Sequence, residues 1–157
     1  MTAARMSAMP PTPYSIQVHL RWSDMDAYGH VNNVQYLRLL EDARIGGFAE
    51  WFGLELKAQE TGVLVARHEI EYVLPLTFRP APVEVDMWVE RIGGASFTVG
   101  YTVRDPDEIG TTTYAIAQTD MVFFDFENNR PQRISQEHLS ILKTHLNEPV
   151  PFRRRRA

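Results

Sequence analysis

The chain has no cysteine among its 157 residues. This absence excludes a disulfide framework, a zinc site with thiolate ligands and a cysteine nucleophile. It fits a reducing compartment, and we predict a cytoplasmic location. No apolar run approaches the roughly 18 residues that a membrane-spanning helix needs, and the N-terminus lacks the apolar core of a signal peptide.

Basic residues are fewer than acidic ones, and the formal net charge is −4. Arg153–Arg156 contribute +4 at the end of the chain, so the rest carries −8. An acidic body argues against general nucleic-acid binding. The length suits one domain, and we predict an N-terminal tail (1–13), a folded domain (14–147) and a basic C-terminal tail (148–157).

The hydrophobic pattern predicts one strand, one long helix and then four strands. Apolar and polar residues alternate over Tyr14–Trp22, as expected for the first strand. The later strands are rich in Val, Ile, Thr, Tyr and Phe, and turn residues separate them. They are predicted over Val63–Leu74, Val83–Ile92, Ser96–Arg104 and Thr111–Phe126, with Gly93-Gly94 as a tight hairpin, and a short helix follows over Ser135–Leu146.

The long helix is predicted from an N-cap at Asn32 to a stop at Gly53. Gln35, three residues after Asn32, resembles the second half of a capping box. Each glycine of the Gly46-Gly47 pair costs about 1 kcal/mol relative to alanine. We therefore expect another backbone to approach there, with a sheet packed tightly on the helix. The expected buried face comprises Val34, Leu37, Leu40 or Ile45, Phe48 and Phe52.

The connections between the later strands are too short for crossover helices, so neighbouring strands must be antiparallel. The sequence thus predicts an α+β architecture with one antiparallel sheet curled around one helix. The edge strands of such a sheet stay unpaired and favour association with another subunit. We therefore predict a homo-oligomer.

An acidic loop containing Asp24 and Asp26 runs directly into the start of the long helix. The first N–H groups of a helix lack internal partners and carry partial positive charge. Asn32 can cap one of them, which leaves the N–H of Asn33 or its neighbours free for a ligand oxygen. A carboxylate before a helix N-terminus therefore lies near an oxyanion-stabilising group. Thioester hydrolysis needs these two groups, and a thiolate leaves readily without a strong general acid.

The segment Asp26–Tyr36 resembles a known signature. It carries the pattern Asp-x-x-Gly-His-Val-Asn-Asn-x-x-Tyr of the 4-hydroxybenzoyl-CoA thioesterase group of hotdog-fold acyl-CoA thioesterases. Tyr72–Leu76 and Arg91–Phe97 are also similar to that family, and the resemblance covers Tyr14–Phe126. It implies a hotdog fold, with about five antiparallel strands wrapped around one helix. It also implies hydrolysis of an acyl-CoA or acyl carrier protein thioester, with no cofactor besides the coenzyme A of the substrate.

Matched by position, the resemblance makes Asp26 the catalytic carboxylate, acting as nucleophile or as general base. The main-chain N–H of Asn33 polarises the thioester carbonyl. Gly29 permits a tight turn, and His30 and Asn32 shape the loop and contact substrate. Members of the family form dimers or tetramers with the site at the subunit interface.

Three further residues are candidates for substrate binding. Tyr36 lies on the helix and suits the wall of an acyl pocket. Coenzyme A carries phosphates, which cationic side chains bind well, and Arg91 lies near a strand end. Ser96 is a candidate for contact with the pantetheine arm.

Other functions stay open at this point. One is hydration or dehydration of an enoyl thioester, and another is acyl-thioester binding without catalysis. A sister branch of hotdog thioesterases uses a glutamate on the helix, but we interpret Glu41 and Glu50 as surface or interface charges. We interpret Asp24 as a solvated turn carboxylate or a partner of Arg21. The sequence does not distinguish acyl types, or a dimer from a tetramer.

Overall fold

A computed structural model of the protein describes residues 10–53 and 61–153. The predicted bounds of the third and fourth strands are confirmed. The first strand ends earlier than predicted, at Val18, because Val18 pairs with Val83, the first residue of the third strand. A 3-10 turn follows over Trp22–Asp24. A very short sixth strand was not predicted. The elements are β1 (Tyr14–Val18), α1 (Asn33–Phe52), β2 (Thr61–Tyr72), β3 (Val83–Ile92), β4 (Ser96–Arg104), β5 (Thr113–Asp125), β6 (Arg130–Pro131) and α2 (Gln136–Thr144).

The strands form one sheet in the order β1-β3-β4-β5-β2, and β6 pairs with β5. Every pairing is antiparallel. Val83, Val85, Met87 and Val89 of β3 are fully buried, and the residues between them are only half-buried. The sheet therefore has an inner face against α1 and an outer face. This arrangement is the hotdog fold expected from the sequence.

The predicted buried face of α1 is confirmed in part. Leu40 is buried, and Phe48 and Phe52 are partly buried and pack against the core. Val34 and Ile45 are 61% and 57% exposed, and Leu37 is also exposed. The prediction failed at these three positions because α1 carries apolar residues on several sides, so helical spacing did not identify the side that meets the sheet. The buried residues are Tyr36, Leu39, Leu40, Ala43, Arg44, Gly47 and Trp51.

The Gly46-Gly47 pair lets α1 lie close to the sheet, as predicted, but side chains rather than a backbone approach it. A Cβ atom on Gly46 would lie 2.6 Å from the hydroxyl oxygen of Tyr14. One on Gly47 would overlap the terminal methyl of Met87. Larger residues here would push the helix away from β1 and β3.

The chain after α2 crosses the outer face of the sheet. Trp88 Nε1 donates to the carbonyl oxygen of Glu148 at 2.8 Å, and the N–H of Val150 donates to Glu90 Oε1 at 2.7 Å. Val150 and Phe152 are buried. The first part of the segment that we predicted as a basic tail therefore packs against the domain. Arg154–Arg156 and residues 1–9 lie outside the described residues.

Candidate active site

The loop between β1 and α1 closes on itself. Met25 and Val31 form an isolated antiparallel bridge. Between them, the N–H of Asp26 donates to His30 O at 2.7 Å, and the N–H of Gly29 donates to Asp26 O at 3.1 Å. Gly29 has φ +76°, a conformation that favours glycine. The tight turn predicted at Gly29 is confirmed.

The chain that leaves β2 fixes the position of this loop. The N–H of Val31 donates to Leu76 O at 2.7 Å, and His30 forms a bridge with Thr77. Leu76 is buried. The loop is thus held between the end of β2 and the start of α1.

The carboxylate of Asp26 is only partly used by the fold. Its Oδ1 atom accepts the N–H groups of Tyr28 and His30 at 2.8 and 3.1 Å. The Oδ2 atom accepts no hydrogen bond from the described residues. One oxygen therefore fixes the orientation of the carboxylate, and the other remains available.

The start of α1 leaves one N–H donor without an acceptor in the part of the chain that the structure describes. Asn32 caps the helix, since its side chain accepts the N–H of Val34 at 3.1 Å and its carbonyl accepts the N–H of Gln35 at 2.8 Å. The predicted capping box is wrong, because the Gln35 side chain accepts from Arg21 instead. The N–H of Asn33, the first helical residue, has no acceptor within the described ranges.

Asp26 and Asn33 line the same pocket, which has a volume of about 340 Å³. The rings of Tyr36 and Tyr72 meet edge to face with centroids 5.1 Å apart. The Tyr72 hydroxyl donates to Asn33 O at 3.1 Å. Burial, together with the nearby Tyr72 and Tyr114, raises the pKa of Tyr36 to about 12, so this phenol is neutral near pH 7. The other lining residues are His30, Val31, Val73, Leu74, Pro75 and Leu76.

The structure brings together four of the predicted site residues, namely Asp26, His30, Asn33 and Tyr36. Gly29 shapes the turn and does not line the pocket. The Asn32 side chain is occupied by the helix cap. Tyr72 is a pocket residue to which the sequence gave no role in the site, since the segment Tyr72–Leu76 was noted only for its resemblance to the family.

Arg91 and Ser96 do not join the pocket of their own chain. Val83 begins β3 beside the end of β1. Arg91 lies eight residues further along β3, or about 26 Å at 3.3 Å per residue. Its guanidinium donates to Thr98 at 3.0 Å on the outer face. These two residues lie at the opposite end of the sheet from Asp26.

Asp24 is not the solvated carboxylate that we considered, because it is fully buried. The alternative, a partner of Arg21, is confirmed by a 2.8 Å ion pair. Burial alone would raise the pKa of Asp24. Hydrogen bonds from the N–H and side chain of Arg21 and from the Arg38 guanidinium nevertheless hold that pKa below its usual value.

The two glutamates considered on the helix lie outside the site. Glu41 and Glu50 are exposed on α1 and do not line the pocket.

Among the described residues, no group of three or more His, Asp or Glu side chains is arranged to hold a metal ion. No helix in those ranges combines the length and apolar character needed to cross a membrane.

Comparison with known proteins adds a family and several related structures. The family model of the thioesterase-like superfamily matches residues 20–142. The PA5185 protein of Pseudomonas aeruginosa is 28% identical over 87% of this chain and 93% of its own, with a TM-score of 0.77. A predicted thioesterase from Bacillus stearothermophilus is 25% identical over 87% of this chain and 98% of its own, with a TM-score of 0.75.

A more distant neighbour shares the fold. It is the hypothetical protein SAV2348 of Staphylococcus aureus, solved in complex with CoA, and it is 12% identical over 90% of this chain and 89% of its own, with a TM-score of 0.76. No curated protein sequence matches this chain.

Proposed function

The chain belongs to the thioesterase-like superfamily, and we propose that it hydrolyses an acyl thioester to a free acid and a thiol. One observation carries the proposal: a carboxylate oxygen of Asp26 and the N–H of Asn33 are both unpaired in one pocket of the described structure. The first can act on the carbonyl carbon or on water. The second can bind the carbonyl oxygen as negative charge develops on it.

Two routes use the same geometry. In one, Asp26 Oδ2 attacks the carbonyl carbon, the C–S bond breaks to release a thiolate, and water cleaves the mixed anhydride. In the other, water attacks while Asp26 takes its proton, and the departing thiolate is protonated. In both, the N–H of Asn33 stabilises the oxyanion. The hydrogen bonds on Oδ1 keep the carboxylate oriented throughout.

The proposed substrate is a thioester of coenzyme A or of an acyl carrier protein. The pocket walls formed by Tyr36 and Tyr72 are aromatic and suit an acyl or aryl group. The staphylococcal structure with the same fold contains CoA. The predictions of a cytoplasmic location and of no cofactor remain predictions.

Thiol release from short, long and aromatic acyl-CoAs tests the proposal directly. Wild type should turn over at least one class, and Asp26→Asn should reduce kcat by about 10²- to 10⁴-fold. Asp107→Asn is the matched control, because it makes the same change on a side chain that is 93% exposed. Turnover that survives in Asp26→Asn, or its absence from wild type on acyl-CoA and carrier-protein substrates, would overturn the proposal.

We also propose that the site is completed by a second subunit across β2. This strand lies at an edge of the sheet, and Leu64 and Val65 on it are 40% and 43% exposed. Two β2 edges related by a two-fold axis pair antiparallel. The end of β2 at Tyr72 would then lie beside the Thr61 end of the partner's strand.

The antiparallel pairing gives Arg91 and Ser96 a role. The Thr61 end of β2 and the hairpin before Ser96 lie at the same end of the sheet, since Thr61 pairs with Asp125 and Ser96 with Val122. Arg91 and Ser96 of the partner subunit would therefore approach the Asp26 pocket. They would contact the phosphates and pantetheine arm, as the sequence suggested.

Complementation between two inactive variants tests the shared site. Mixing Asp26→Asn with an Arg91→Ala/Ser96→Ala variant, after subunit exchange, should restore about a quarter of wild-type activity, because half the dimers then hold one intact site. Size-exclusion chromatography with light scattering checks that dimers form. No recovery in a mixture of proven heterodimers would contradict the shared site and leave the hydrolysis proposal standing.

A further inference from the structure

Asp24 is the most completely bonded carboxylate of the site loop. It is fully buried. Its Oδ2 atom accepts the N–H of Arg21 at 2.7 Å and the Arg38 guanidinium at 2.6 Å. Its Oδ1 atom accepts Nε of Arg21 at 2.9 Å. A buried charge held this way resists displacement, because moving it would leave ionic groups unpaired.

These bonds join the loop to the helix. Arg21 lies before the turn that carries Asp26, and Arg38 lies in the second turn of α1. Arg38 is only 22% exposed and is also held by Asp42 at 2.8 Å. The carboxylate of Asp24 therefore connects the chain before Asp26 with the body of the helix that presents Asn33.

The main chain of Asp24 adds a second connection at the helix start. Its carbonyl oxygen accepts the N–H of Asn32 at 2.8 Å. The N–H groups of Val34 and Gln35 donate to Asn32. Of the N–H groups from Asn32 to Gln35, that of Asn33 is therefore the one without an acceptor among the described residues. Asp24 thus bonds to Arg21, which precedes Asp26 in the chain, and to Asn32, which follows it.

The chemistry proposed above depends on the separation between Asp26 Oδ2 and the N–H of Asn33. A displacement of about 1 Å in such a pair can cost roughly 100-fold in rate. The two groups lie on different elements, the loop and the helix. Both the side chain and the main chain of Asp24 bridge these elements.

We propose that Asp24, through Arg38, is a positioning residue that sets the geometry between the carboxylate of Asp26 and the N–H of Asn33. This inference rests on the proposed hydrolysis. It assigns no contact with substrate to Asp24 or Arg38. Their effect is expected on turnover, with substrate binding largely retained.

Asp24→Asn and Arg38→Met test the proposal, with Asp42→Asn as the matched control. The control removes the other carboxylate partner of Arg38, which is 41% exposed. The two test variants should lower kcat by roughly 10- to 100-fold with KM within about twofold, and the control should stay within about twofold of wild type. Arg38→Lys retains the charge without the planar fork, so it should recover part of the loss caused by Arg38→Met.

A readout that needs no turnover separates this inference from the proposed activity. The amide resonance of Asn33 in ¹H–¹⁵N spectra should move in Asp24→Asn and in Arg38→Met, and stay in place in Asp42→Asn. If wild type hydrolyses no thioester, the proposed function fails, but the Asn33 resonance still shows whether Asp24 and Arg38 set the position of the Asn33 N–H. If Asp24→Asn does not fold, the Arg38 variants carry the test.

A purely structural role would give a different result. Asp24→Asn and Arg38→Met would then lower the melting temperature, while kcat per folded molecule and the Asn33 resonance stayed at wild-type values. That outcome would overturn the proposal. A fall in kcat with a moved Asn33 resonance, and with an unchanged control, would support it.

Discussion

The loop before α1 and the turn after β4 lie at the same end of the sheet, and each holds an aspartate: Asp105 directly follows β4, and Asp26 lies eight residues after the end of β1. Asp105, in the turn, is buried and has both carboxylate oxygens bonded: Tyr114 and Arg79 reach Oδ1 at 2.8 and 2.7 Å, and the N–H of Thr112 reaches Oδ2 at 3.3 Å. Asp26, in the loop, has one oxygen bonded and one that accepts no hydrogen bond from the described residues. A carboxylate that the fold uses completely has nothing left for a substrate, so the incomplete bonding of Asp26 is what distinguishes it.

The largest difference expected between these regions is in activity. Asp26→Asn should reduce thiol release by about 100-fold or more, whereas Asp105→Asn should leave kcat per folded molecule near wild type. The free energy of unfolding, from urea titration, should change little in Asp26→Asn, because Oδ1 and its two N–H donors remain. Equal losses of kcat in both variants would mean that the bonding of the two carboxylates does not distinguish a catalytic aspartate from a structural one.

For the free energy of unfolding, the larger loss is expected in Asp105→Asn rather than in Asp26→Asn. Asp105→Asn leaves the Arg79 guanidinium, itself 22% exposed, without its anion. Breaking a buried pair by neutralising one partner costs about 3 kcal/mol. The control Asp107→Asn loses only an exposed pair with Arg104 and should change the free energy of unfolding by less than about 1 kcal/mol. A similar small effect for Asp105→Asn would show that Tyr114 and Thr112 alone hold this turn.

The pH dependence of unfolding sharpens the same contrast. Burial alone would raise the pKa of Asp105, but hydrogen bonds from Tyr114, Arg79 and Thr112 hold it below the usual value. A carboxyl whose pKa is lowered by folding stabilises the protein above its unfolded pKa, near 3.9, and this contribution disappears as the pH falls further. The stability difference between wild type and Asp105→Asn should thus narrow between pH 5 and pH 2. A constant difference would contradict an ionic origin.

Local patterns predicted the scaffold well. Residues that favour strands, bounded by turn residues, identified β3 and β4 to the residue, and the N-cap at Asn32 followed from residue type alone. The motif around Asp26 likewise identified the residues that now share a pocket. In each case neighbours in sequence determine the conformation, so the sequence carries the signal locally.

What the sequence did not predict depends on contacts between distant segments. The buried side of α1 is selected by β1 and β3, and the burial of Asp24 depends on Arg38, which is 14 residues away. Tyr72 meets Asn33 across 39 residues. No periodicity or motif in a single sequence reports such pairs. The role proposed for Arg91 and Ser96 would require a second chain, which no pattern within one sequence describes.

The smallest expected effect concerns Tyr72, which links the end of β2 to the helix start. Tyr72→Phe removes the hydroxyl bond to Asn33 O but keeps the ring against Tyr36. Because Tyr72 is 47% exposed, water can replace the hydroxyl, and we expect a stability cost of about 0.5–1 kcal/mol. Turnover should fall only a few-fold, about the factor that a similar loss of free energy produces.

Tyr72→Leu provides the matched comparison, since it removes the ring as well as the hydroxyl. Acyl-CoA kinetics should then show a raised KM, because the aromatic wall of the pocket is lost, together with the small fall in kcat seen for Tyr72→Phe. If Tyr72→Phe matched wild type in kcat and stability, the hydroxyl would not hold the helix start. The position of Asn33 would then depend on Asp24 and the Asn32 cap alone.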